Sequence, residues 1–113
     1  MTKVNDGLLK MFIIDVLRHG GGSTFDGLIA RLNDDGGIGW RDVAKVAFEA
    51  DRVRKMVREM ISDGSLLVED NNRNGEVLPV AEAISASLDF TYLITNSPKS
   101  LKLWEKWEPP VVD

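Results

Sequence analysis

Apolar residues recur along the first fifth of the chain at the period of a helix. Leu8, Leu9, Phe12, Ile13, Val16 and Leu17 are spaced by one, three and four, which makes a wide apolar stripe over residues 6–19. Asp6 is placed to cap its start, and Gly20-Gly21-Gly22 to end it, since glycine takes the left-handed C-cap conformation without steric cost. A second stripe, Phe25, Leu28, Ile29 and Leu32, predicts a helix over roughly 24–35, capped by Ser23 or Thr24 and stopped by Asp34-Asp35-Gly36-Gly37.

Residues 40–63 read as helical throughout, as one helix or as two. Val43, Ala44, Val46, Ala47, Ala50, Val53, Met56, Val57, Met60 and Ile61 can share one broad face. A continuous helix would put Phe48 on the charged side. A turn near Phe48-Glu49-Ala50, with Asp51 as a new N-cap, avoids that exposure and is favoured. The helices would then be 41–47 and 51–63.

Beyond Asp63-Gly64 the period changes to that of strands. Leu66-Leu67-Val68 begins one, and Asn71-Asn72-Arg73-Asn74-Gly75 is a turn, Asn-Gly being a strong hairpin signal. Glu76 to Val80 returns as a strand that Pro79 confines to an edge. Val80 to Leu88 suits a short helix or an irregular wing. Phe90 to Thr95 alternates as a strand and is expected to pair with Leu66–Glu69. Ser97 caps a final helix with Pro98 in its first position, carrying Leu101, Leu103, Trp104 and Trp107 up to Pro109-Pro110. The last residues, 109–113, are expected to fray.

At 113 residues the chain is expected to form a single domain with a modest core. No apolar run approaches the roughly 20 residues of a membrane helix, and the N-terminus lacks a secretory pattern. Cysteine is absent, which removes disulfides, thiolate metal sites and cysteine nucleophiles. A cytoplasmic location is the expectation. Charge is unevenly spread. Arg41 to Arg58 holds six bases (Arg41, Lys45, Arg52, Arg54, Lys55, Arg58) and three acids (Asp42, Glu49, Asp51), a local +3 within a chain of net −4. Glu59 to Asp89 has seven acids against Arg73 alone.

Asp42-Val43-Ala44-Lys45, Arg52-Val53-Arg54-Lys55-Met56-Val57, Asp63-Gly64-Ser65-Leu66-Leu67 and Tyr92-Leu93-Ile94-Thr95 together resemble the winged helix-turn-helix superfamily. They match a positioning helix, a recognition-helix core, the turn into a wing and the strand leaving it. The resemblance implies an α+β fold: a three-helix bundle with a small antiparallel hairpin wing and a C-terminal helix. It also implies a small DNA-binding protein of the transcription-regulator kind. The recognition helix, 51–63, would lie in the major groove of double-stranded DNA. Arg52, Arg54, Lys55 and Arg58 would face the groove, Arg41 and Lys45 would touch backbone phosphates, and Arg73 would sit on the wing. On that reading, replacing Arg54, Lys55 and Arg58 by glutamate abolishes DNA binding and leaves the melting temperature unchanged.

Each of these features also has a plainer reading. Arg52 to Arg58 can be a solvated helix face paired to Asp51 and Glu59, and Arg73 a solvated arginine in a polar turn. The wing candidate, Glu69 to Glu82, carries four acids, where DNA-contacting wings are usually basic. The second expectation is therefore a protein-interaction module on the same scaffold: an adaptor, a subunit, or a phage or accessory protein. Leu101, Trp104 and Trp107 either close the core against the first helix or form a homodimer seam. His19 suits the last turn of its helix, where positive charge complements the dipole. Asp34-Asp35 and Glu69-Asp70 adjoin polar turns and have no calcium-loop spacing. There is no Gly-x-Ser-x-Gly elbow and no phosphate loop. No catalytic residue, metal or cofactor is expected.

Overall fold

A computed structural model describes residues 6–33 and 48–108. The expected helix at 41–47, with Arg41 and Lys45, and the tail 109–113 lie outside the described residues. The architecture is α+β: five helices and one three-stranded antiparallel sheet among the described residues.

Helix α1 (Asp6–Gly20) is the centre of the fold. The sequence predicts a stripe, but every residue from Met11 to Leu17 is buried. The reason is that α1 is surrounded: α2 (Phe25–Asn33), α3 (Ala50–Ser62), β3 (Tyr92–Asn96) and α5 (Pro98–Lys106) all pack on it. It ends where the Gly21 amide donates to the Leu17 carbonyl and Gly21 turns left-handed, φ +71. Ser23 then forms a single antiparallel bridge to Ile94, with bonds of 2.9 and 2.7 Å. Thr24 caps α2, its Oγ1 accepting from the Gly27 amide at 3.1 Å.

Residues 48 and 49 are not helical, so no single helix spans 40–63. The expected break is present, but its cap differs. Glu49 is the N-cap of α3, in an extended conformation with no side-chain hydrogen bond, and Asp51 falls in the first turn. Phe48 is 5% exposed rather than on the surface. Its ring meets Phe12 edge to face at 5.7 Å. The Asn33 side chain holds its backbone, Oδ1 accepting from the Phe48 amide at 2.7 Å. The cap side chain is thus dispensable, because Phe48 anchors the start of α3 instead.

On α3, Val53, Met56, Val57, Met60 and Ile61 are buried, the spacing of one helix face. Gly64, at φ +84, lets the Ser65 amide reach back to the Met60 carbonyl at 2.8 Å. The chain then enters β1 (Leu66–Asp70), whose alternate residues Leu66, Val68 and Asp70 are buried. The sheet order is β2-β1-β3, with β2 being Glu76–Val77. β1 and β3 pair in the register Leu66↔Asn96 to Asp70↔Tyr92.

The turn between β1 and β2 starts with a short 3-10 turn, Asn71–Arg73, capped by the Asp70 carboxylate. Asn74 and Gly75 follow at φ 58 and 78, the left-handed pair that the Asn-Gly dipeptide favours. β2 is shorter than expected. Leu78 still donates to Val68 at 2.9 Å, but Pro79 has no N–H to continue the ladder. Val80–Ser85 is helix α4, seated on α3 and β1 through buried Ala83. The strand expected from Phe90 begins only at Tyr92. No helix of the described residues is long and apolar enough to cross a membrane.

Candidate interaction surfaces

The cations of α3 divide into two groups. Lys55 and Arg58 are exposed, on the side away from Val53, Val57 and Met60. Arg52 and Arg54 lie on the flanks and are half-buried. Arg52 Nη2 pairs with Asp6 Oδ1 at 3.1 Å. Arg54 places its guanidinium 4.7 Å from the Phe25 ring centroid, and its buried Nε has no hydrogen bond among the described residues. Asp51 and Glu59 are exposed beside Lys55 and Arg58, so the outward face of α3 carries no net charge. The expectation that Arg54 could be reversed without thermal cost is corrected by its packing on Phe25.

Arg73, expected on the tip of a wing, is held within it. Its Nε lies 3.5 Å from Asp70 Oδ2 and its Nη1 3.2 Å from Glu82 Oε2. Neutralised by two acids, it adds no net positive charge to that surface.

The final helix also divides. Trp104 and Trp107 are half-buried, stack at 5.4 Å, and pack against the core. Arg18 of α1 sits 4.7 Å from the Trp104 ring centroid. Of the expected seam residues only Leu101 faces outward, 41% exposed, joined by Leu103 at 38%. Beside Leu103 is an open groove of about 290 Å³, lined among the described residues by Lys99, Lys102, Leu103 and Lys106. The Lys99 ammonium donates to the Asp63 carbonyl. Lys102 and Lys106 make no ion pair among the described residues. These three lysines were not singled out from the sequence. Their spacing of three and four was legible there, once 98–106 is taken as a helix.

Phe90 is the second feature that sequence reasoning missed. Taken as a strand residue, it is instead 81% exposed on a turn. Asp89 builds that turn: its Oδ1 accepts from the Thr91 amide at 2.9 Å and the Thr91 hydroxyl at 2.7 Å, and its Oδ2 from Ser87 at 3.1 Å. The Tyr92 amide closes it onto the Asp89 carbonyl at 3.1 Å. The Thr91 hydrogen bonds hold the Asp89 carboxyl below its ordinary range, so it is charged at neutral pH. Leu88, just before it, is buried at φ 57, a conformation that costs a branched residue on the order of 1 kcal/mol. Backbone strain and carboxylate bonding thus converge on one conformation that presents the ring to solvent.

Deep in α1, Asp15 is 1% exposed. Its Oδ1 lies 3.2 Å from Arg18 Nε and 3.4 Å from His19 Nε2, while Oδ2 has no hydrogen-bond partner among the described residues. His19 thus pairs with the acid one turn back, besides sitting at the helix end. No protein-family model, curated protein or solved structure matches this chain.

Proposed function

We propose that this chain is a winged-helix domain that works as a protein-interaction module. Among the described residues the element order supports the fold: a helix, a single bridging residue, two further helices, then paired strands enclosing a wing and a closing helix. The function rests chiefly on one observation. Of the five candidate cations within the described residues, Arg52, Arg54 and Arg73 are engaged by Asp6, Phe25 and the Asp70–Glu82 pair. Lys55 and Arg58, the other two, are offset on the outer face of α3 by Asp51 and Glu59. Apolar side chains, in contrast, stand exposed in the wing region (Val77, Val80, Phe90) and on α5 (Leu101, Leu103). Such residues gain by leaving water on contact with another protein. This reading needs no cofactor and no catalytic residue.

The second reading is the DNA-binding regulator, favoured by the exposure of Lys55 and Arg58, which make no ion pair within hydrogen-bonding distance among the described residues. Fluorescence anisotropy on mixed-sequence duplex DNA, in low and then moderate salt, separates the two. Phosphate contacts make affinity fall with salt, with a log–log slope of about −0.9 per phosphate neutralised. The interaction module predicts no salt-sensitive binding. Binding that weakens with salt and disappears in Lys55→Glu/Arg58→Glu would replace it with the DNA reading.

A further inference from the structure

The exposed apolar groups sit in surroundings of opposite charge. The segment that leads up to Phe90, from Glu69 to Asp89, holds Glu69, Asp70, Glu76, Glu82 and Asp89 against Arg73, a net −4. Around Leu103, α5 holds Lys99, Lys102 and Lys106 against Glu105, a net +2. One patch is a knob: a phenylalanine fixed on a hydrogen-bonded turn with a charged carboxylate beside it. The other is an open groove of about 290 Å³, lined among the described residues by Leu103 and by Lys99, Lys102 and Lys106, the Lys99 ammonium being held on the Asp63 carbonyl. Lysine ammonium groups are attracted to an aromatic face as well as to a carboxylate.

Within one molecule Phe90 does not fill the groove: its ring stands 81% exposed on the turn before β3.

We infer that the occupant of the α5 groove is a second copy of this chain, inserting Phe90 beside Leu103 with its acidic surroundings against Lys102 and Lys106. This rests on the interaction-module reading and names its partner. The contact joins two different patches: made reciprocally it gives an isologous two-fold dimer, and made one way only it is heterologous and continues head to tail. A phenylalanine covered in this way buries about 150–250 Å² of its own surface. The charges add an attraction that salt weakens.

Sedimentation velocity over a range of concentrations, in low and moderate salt, tests the inference on the full chain. Wild type should grow in mass with concentration, more so in low salt. Phe90→Ser should weaken association by about tenfold or more, as loss of a central aromatic does. Lys102→Glu/Lys106→Glu should also weaken it, and mixing that variant with Glu76→Lys should recover part of the association. All four side chains are exposed, so melting temperatures should not move. Photocrosslinking from p-benzoylphenylalanine at position 90, in a mixture of light and isotope-labelled chains, should join that residue to the Leu101–Lys106 segment of the other copy. Monomers at every concentration without DNA binding would overturn the self-contact and leave the interaction module standing. Association unaffected by Phe90→Ser would overturn it too. Monomers whose salt-sensitive DNA binding is lost in Lys102→Glu/Lys106→Glu would overturn both, making α5 a phosphate-binding surface.

Discussion

The Arg54 guanidinium lies over the ring of Phe25, 4.7 Å from its centroid, joining α3 to the first turn of α2. A residue whose type and helix position suggest nucleic-acid contact therefore belongs to the packing between two helices. Its aliphatic stem and planar head cover an apolar ring, as arginine commonly does. Arg54→Ala should cost about 1–2 kcal/mol. That is a fall of several degrees in melting temperature for a domain of this size. Lys55→Ala and Arg58→Ala should leave the melting temperature where it is. Equal thermal behaviour of all three, by calorimetry, would remove the structural role of Arg54.

Ser97 links the end of β3, the start of α5 and the turn after α3. Its hydroxyl lies 2.6 Å from the Gly64 carbonyl and 2.9 Å from the Ser65 carbonyl, and it accepts from the Ser100 amide at 3.4 Å. Ser97→Ala removes the cap and the hydroxyl that the Gly64 carbonyl faces, while the Ser65 carbonyl keeps the Ser97 amide at 3.1 Å. The expected loss is about 1–2 kcal/mol by urea unfolding. Ser97→Thr should recover part of it.

Asp63 sets an acid limit on stability. Its partial burial pushes the carboxyl up, but hydrogen bonds from Ser65 and the Lys10 ammonium at 3.1 Å outweigh this and hold it below 3.8. A lowered folded pKa contributes stability that is complete above the ordinary carboxyl range. That stability is lost as the pH falls through the lowered value. The difference in stability between wild type and Asp63→Asn should therefore be constant from neutral pH down to about 5. It should narrow below 3.8. A difference that widens on acidification would contradict this assignment.

Arg18 serves two neighbours, the buried Asp15 carboxylate and the Trp104 ring. Arg18→Ala leaves Asp15 with His19 alone and uncovers the indole. Because Arg18 is partly exposed, the expected cost is about 1–3 kcal/mol, below that of a fully buried pair. Tryptophan emission should shift as well. Adding Asp15→Leu should restore much of the loss, since removing both charges removes the unpaired one.

The helices α1, α2 and α5 were legible in the sequence because each is marked locally, by apolar period and by capping chemistry. The Asn74-Gly75 turn and the β1–β3 pairing were legible for the same reason. What could not be read depends on distant partners. Burial of Asp15 and of the whole circumference of α1 follows from four elements meeting there, which periodicity does not encode. Arg54 looks like any basic residue until Phe25 is placed beside it. Phe90 looks like a strand residue because its own propensity is for strands. The Asp89 hydrogen bonds, and the left-handed Leu88 before them, override that preference.

Residues 14 and 96 are joined by the Asn96 side-chain amide, which donates to the Ile14 carbonyl at 2.9 Å, and Ser23 is laddered to Ile94. During synthesis, then, the first helix leaves the ribosome long before the strand that covers it exists. At about 5–20 residues per second, the interval between making Ile14 and making Asn96 is on the order of 4–16 seconds. For that time the most apolar segment of the chain has only part of its surroundings. The nascent chain cannot complete its core until its last strand has emerged. Chaperone binding to stalled nascent chains should accordingly persist through arrest points before β3 and fall away once the strand has cleared the exit tunnel.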